Sequence, residues 1–213
     1  MTPSLRAYAQ KANGVLVVAP GAPGVGKEKT HEVALRHVRG LTRLVCSQIL
    51  VEEYGLFDES SLLPDDKVWT AVRKVLLSVF QPETANRPII FSDGFPRTKS
   101  QAGLVTAFAR ERHLLVITLD LVSPREVCLE RMLSRGRKGE VTPEACGKRF
   151  DELSQRARAT IKHLRNNSDI CAYVGVNSNL HPAQVGKQVF DGLRRIDPIA
   201  GLVPPDRVLD FAV

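Results

Sequence analysis

Two motifs at strand ends and one basic loop stand out in this chain, and the first of them has the residue types and spacing that phosphate binding demands. In the first, Gly21, Gly26 and Lys27 keep the spacing G-x-x-x-x-G-K within GAPGVGKEKT. Glycines so placed let backbone N–H groups approach phosphate oxygens, and a lysine at the end of the run reaches β- and γ-phosphates. The helix that begins near Lys27 adds the positive end of its dipole. One position departs from the pattern: Glu28 stands where a Ser or Thr normally holds Mg²⁺. The alternative reading is a glycine-proline turn that leaves Lys27 and Lys29 merely solvated. The second cluster is Asp93-Gly94-Phe95-Pro96-Arg97-Thr98, and the third is the basic, glycine-containing loop at 136–141.

The elements that must position these clusters follow from periodicity. The apolar, β-branched run before Gly21 reads as a buried strand, and 28–39 has helical spacing closed by Gly40. A short strand at 41–46 and a helix at 47–53 follow, then a loop at 55–61. A helix opens at Asp65 or Asp66, either of which can cap it. A loop at 81–88 leads to a buried strand at 88–92 that discharges into Asp93, and a helix covers 99–112. The longest apolar run, 114–122, reads as a strand covered on both faces. Helices at 125–135, 142–164 and 182–194 enclose a last strand at 170–176, and a tail follows from Asp197. Alternating strands and helices predict an α/β fold with a parallel sheet, whose ligands bind beyond the carboxyl ends of the strands.

Composition narrows the class. The chain has 213 residues, of which 43% are hydrophobic and 25% charged, so disordered and membrane classes are disfavoured. Thirty Lys and Arg against 23 Asp and Glu give a net charge of +7, which favours an anionic partner. Cys46, Cys128, Cys146 and Cys171 are widely spaced, which predicts reduced core thiols in a cytosol-like compartment. The first 13 residues lack a secretory apolar core and read as a polar, frayed lead-in, with a weak organellar presequence as the alternative. The five histidines show no metal-ligand spacing and are expected mostly on the surface. Trp69 is expected to pack.

With these motifs in view, the chain resembles the adenylate kinases and, more broadly, the nucleoside monophosphate kinases. The match rests on Asp93-Gly94-Phe95-Pro96-Arg97-Thr98 followed by Gln101-Ala102, and on GAPGVGK with Pro23 before Gly24. Leu63-Pro64-Asp65, Leu129-Glu130-Arg131 through Arg135-Gly136, and Thr142-Pro143-Glu144 through Lys148-Arg149 extend it. The resemblance implies a P-loop NTPase-type three-layer fold around a parallel sheet of about five strands. It implies a single domain with its core at about 14–195, a reduced acceptor-binding insert at about 44–80 and a short lid at about 136–144. The implied activity is transfer of the γ-phosphate of ATP to a nucleoside monophosphate, foremost AMP, with Mg²⁺, by a cytoplasmic monomer without membrane or nucleic-acid partners.

The resemblance also assigns residues. The donor nucleotide would be held by Gly21, Pro23, Gly24, Val25, Gly26, Lys27, Glu28, Lys29, Thr30, Arg131, Arg135 and Asn177. Lys27 would reach the donor β/γ-phosphates, Arg97 the acceptor phosphate, and Arg135 and Arg149 the transferred group. Cys46, Gly94, Gln101 and Lys138 would complete the acceptor and lid side, with Gln101 reading the acceptor base. Asp93 would hold Mg²⁺ through water.

Three departures qualify the pattern. Val51 replaces the arginine expected to clamp the acceptor phosphate, with Arg43 or Arg73 as substitutes and a solvated role as the alternative for each. Cys46 replaces a threonine near the acceptor base. Glu28-Lys29 replaces Gly-Thr, with Thr30 one place late. These changes leave open a catalytically impaired nucleotide-binding or regulatory protein. A nucleic-acid-binding role has weaker support, because 6% aromatic residues form no base-stacking array.

Overall fold

Five parallel strands form the centre of the molecule in the order β2-β3-β1-β4-β5. They are β1 (Gly14–Val18), β2 (Leu41–Val45), β3 (Ile89–Asp93), β4 (Leu114–Val122) and β5 (Cys171–Asn177). The computed structural model describes residues 1–38, 40–55, 63–81, 87–137 and 140–196, with only the backbone described at 33–37. The strand positions agree with the sequence expectation to within about a residue or two at each end, and β1 and β4 are the solid apolar runs of strands covered on both faces. The expected loops at 55–61 and 81–88, the position of Lys138 and the tail from Asp197 lie wholly or mostly outside the described residues.

Side-chain alternation along the strands divides the core in two. Val15 and Val17 join Ile89, Phe91, Leu115 and Ile117 on one face. Leu16 and Val18 join Ile90, Leu114 and Val116 on the other. The first face is covered by α1 (Pro3–Lys11), α2 (Lys27–His37), α6 (Arg125–Arg135), α8 (Pro182–Arg194) and the start of α7 (Pro143–Asn166). The second is covered by α3 (Cys46–Tyr54), α4 (Asp65–Val79), α5 (Lys99–Arg112) and the end of α7. Each fully buried aliphatic side chain contributes about 1.5–3 kcal/mol, so these two layers hold the strand ends in place. All four cysteines are free and buried. Trp69 stacks on Phe95 with centroids 6.2 Å apart and meets Phe108 edge-on.

The amino-terminal lead-in is helical. Thr2 caps α1 by accepting a hydrogen bond from the Leu5 amide at 3.2 Å, and Pro3 occupies the first turn. Leu5 and Ala9, four residues apart, are buried together, and the Tyr8 ring lies 4.3 Å from His113. The polar composition of the stretch concealed this narrow apolar stripe. Among the described residues no helix is long and apolar enough to cross a membrane.

Candidate active site

β1 releases the chain into the glycine-rich loop at the carboxyl edge of the sheet, and α2 begins at Lys27. Gly24 has φ 72°, and a Cβ there would collide with the Cys128 backbone of α6. Gly26 has φ 95°, again the left-handed region. The Lys27 ammonium donates to the carbonyls of Gly21 at 2.8 Å and Ala22 at 2.7 Å. Burial pushes its pKa from 10.5 down to about 8; Arg97 and Arg135 push the same way and Asp93 opposes them. The loop lysine and two candidate phosphate arginines therefore share one positive field.

Arg131 and Arg135 lie four residues apart, on one face of α6. Arg131 donates to the Gly24 carbonyl at 3.3 Å and to the Ser178 carbonyl at 3.1 Å, tying the loop to the turn after β5. Arg135 donates to Glu140 Oε2 at 2.7 Å. Arg149 Nε lies 3.1 Å from the other oxygen of the same carboxylate. Thr142 caps α7 and Pro143 starts it, which sets Arg149 in its second turn. Glu140 is only 2% exposed and was not among the assigned site residues. Asn177 ends β5, accepts from the Asn179 amide at 3.0 Å and lines an open groove of about 600 Å³ with Val122, Ser123, Pro124 and Gly175.

The segment after β3 is held by α4. Asp65 accepts from Thr98 Oγ1 at 2.8 Å and from Gln101 Nε2 at 2.8 Å, while Gln101 Oε1 accepts from the Arg97 amide at 2.7 Å. Asp65 is thus the first residue of α4 and a brace to α5; the position before the helix is Pro64. The Gln101 amide, 3% exposed, is engaged at both ends, by Asp65 and by the Arg97 backbone. Arg97 Nε donates to the Gly94 carbonyl at 2.7 Å. Cys46 is buried at the start of α3, which pushes its thiol up to about 11.

Arg43, raised from the sequence only as one of two substitutes for the missing clamp, and His31, which sequence reasoning did not place here, complete the site. Arg43 of β2 ion-pairs with Asp93, Nε and Nη2 both on Oδ2. Arg73, the other proposed substitute for the missing clamp, faces Glu111 at 3.7 Å instead. His31, expected on the surface, is fully buried, with Nδ1 3.6 Å from Asp93 Oδ1 and its ring 4.0 Å from that of Phe91. Burial lowers its pKa to about 4 against the opposing pull of Asp93, so the ring is neutral. Its spacing of four from Lys27 was the available signal, since it returns the side chain to the loop-facing side of α2.

These residues do not fit Mg²⁺ in the manner the resemblance implies. Glu28 and Lys29 are exposed, and Lys29 pairs with Glu32 at 3.2 Å. The late hydroxyl of Thr30 is buried and donates to the Gly26 carbonyl at 3.1 Å. The loop therefore offers no hydroxyl, and the Asp93 carboxylate already carries Arg43. Among the described residues no group of three or more His, Cys, Asp or Glu could hold a metal ion.

No protein-family model matches the chain. Its fold is similar to that of a gluconokinase from Sinorhizobium meliloti, with TM-score 0.55 and 16% identity over 90% of this chain and 97% of the other. It is also similar to a fungal RNA kinase, with TM-score 0.60 and 13% identity over 91% and 92%. In sequence it is 31% identical over 191 residues to an adenylate kinase of Porphyromonas gingivalis, spanning 83% of this chain and 95% of that protein. With its glycine-rich loop, its Asp93 to Arg97 segment and that extent of identity, the chain belongs to the adenylate kinase family.

Proposed function

We propose that the protein transfers the γ-phosphoryl group of ATP to a nucleoside monophosphate, with AMP the leading acceptor, as a cytoplasmic monomer of one domain with a short lid at 136–144. The observation that carries this reading is the shared field of Lys27, Arg97 and Arg135, extended to Arg149 through Glu140. Phosphoryl transfer asks mainly for positioning and for cations around the transferred oxygens. An oxygen of the acceptor phosphate attacks the γ-phosphorus in line, and the bond to the β–γ bridging oxygen breaks, leaving ADP. Lys27 would release its two loop carbonyls to hold the β/γ-phosphates. Arg97 would take the acceptor phosphate, and Arg135 and Arg149 the charge on the moving group. Lid closure would exclude water and suppress hydrolysis.

A second reading, nucleotide binding with little transfer, draws on Val51 in place of a clamp, on the buried Cys46 in place of a threonine and on Glu28 in the loop. A coupled assay of ATP with AMP, CMP, UMP and GMP separates the two. Turnover fastest on AMP is expected. Absence of turnover on every acceptor, with ATP still bound by a folded protein, leaves the second reading standing.

A further inference from the structure

We propose that Arg125 of α6 is a positioning residue for Arg149 of α7, holding that cation in reach of the transferred phosphoryl group while the lid segment moves. The proposal rests on the reading of the protein as a phosphotransferase with Arg149 at the moving group. Arg125 is the first residue of α6 and follows the Ser123-Pro124 corner that ends β4, so its backbone is fixed to the sheet. Its guanidinium crosses to α7. There Nε donates to Asp151 Oδ1 at 3.2 Å and Nη2 to Asp151 Oδ2 at 3.1 Å, a two-bonded fork. Its Cζ lies 5.6 Å from the centroid of the Phe150 ring. Gly147 leaves room for the arm, since a Cβ there would stand 3.5 Å from Nη2 and any longer side chain would crowd it.

Gly147, Phe150 and Asp151 are spaced i, i+3, i+4, so they form one face of α7, and Arg149 leaves the same turn on another flank. A slip of α7 by one residue would turn Arg149 by about 100° and shift it by about 1.5 Å. The fork resists both movements, because two parallel hydrogen bonds to one carboxylate require one geometry. Phe150 is buried in the core with Cys128 and Met132 of α6, so the ring under the guanidinium is itself held. α6 thus grips this part of α7 at both of its own ends: its first residue directly, through Arg125, and its last through Arg135, Glu140 and Arg149. The second link runs through Glu140, which belongs to the lid segment and moves with it. The first joins helix to helix and stays. Both partners of the Arg125–Asp151 pair are exposed, so the pair adds little to global stability. Its effect is on position, where a displacement of about 1 Å can cost about a hundredfold in rate.

The test is steady-state kinetics of the full chain in a double-mutant cycle of wild type, Arg125→Ala, Arg149→Ala and Arg125→Ala/Arg149→Ala, with melting curves as fold controls. Arg125→Ala is expected to lower kcat about tenfold and to leave the KM for ATP within about threefold. In the Arg149→Ala background the same change should cost less than about twofold, because the cation that Arg125 positions is gone. Should Arg125→Ala melt below the assay temperature, Asp151→Ala removes the fork from the other helix and goes through the same cycle with the same expectation. A kcat unchanged by the loss of the fork, or equal losses in both backgrounds, overturns the proposal and leaves the transfer reading intact. A folded wild type that binds ATP and turns over no nucleoside monophosphate overturns the transfer reading and this proposal with it.

Discussion

Arg135 donates to the buried carboxylate of Glu140 at 2.7 Å, five residues further along the chain. The other oxygen of Glu140 lies 3.1 Å from Arg149, so one carboxylate spaces the two cations assigned to the moving phosphoryl group. Removing its charge leaves the arginines repelling one another. Glu140→Gln is expected to lower stability by about 1–3 kcal/mol, a range reduced because both arginines are partly exposed to solvent. Urea denaturation measures the loss, and the coupled assay should show a larger fall in turnover than in ATP affinity.

Lys27 should make nucleotide affinity pH-dependent in the alkaline range. Its pKa in the folded protein, about 8, lies below the ordinary 10.5. Above about pH 8 the free protein therefore holds a neutral amine that must take up a proton to bind phosphate. ATP affinity is expected to weaken as pH rises from 8 toward 10. Lys27→Arg, charged throughout, should lose that dependence. The same shift bears on stability with a definite sign: between about 8 and 10.5 the unfolded chain binds the proton and the folded one does not, so Lys27 contributes a stability that rises with pH across that window.

Gly24 is the loop position least able to accept a side chain. At φ 72° a Cβ would stand 3.0 Å from the Cys128 Cα and closer still to its carbonyl. Gly24→Ala is expected to cost about 1–3 kcal/mol in backbone strain and to weaken ATP binding by at least about tenfold, because the loop N–H groups no longer converge. Calorimetry and a thermal melt on the same variant check both numbers.

Leu5 anchors the amino-terminal helix. It is 4% exposed and packs in the same cluster as Val15 and Leu115. Leu5→Ala should destabilise the fold by about 2–3 kcal/mol, read by chemical denaturation. A loss below about 0.5 kcal/mol would show that α1 is not part of the cooperative core.

Local pattern made much of this protein legible. The strand before Gly21 and the strand at 114–122 could be read because residues buried on both faces must be apolar nearly throughout. Lys27 and Arg97 could be singled out because the loop and the Asp93 to Arg97 segment are each contiguous in the chain. The helix at 3–11 escaped because two small buried contacts, Leu5 and Ala9, do not raise the hydrophobicity of a polar stretch. His31 escaped because its burial depends on Phe91, sixty positions away in the chain and adjacent only once β3 lies beneath α2.

The sequence by itself determined the class of fold, the phosphate loop and the family, since each follows from periodicity or from motifs of a few consecutive residues. Tertiary structure alone decided how the charges are partnered. Arg43 meets Asp93 across 50 residues, Asp65 meets Gln101 across 36, and Arg131 meets Gly24 across 107. Such pairings are set by strand order and helix docking, which bring side chains within the few ångströms where ion pairs and hydrogen bonds act. The same arginine is a solvated charge or a counter-ion according to what the neighbouring strand carries.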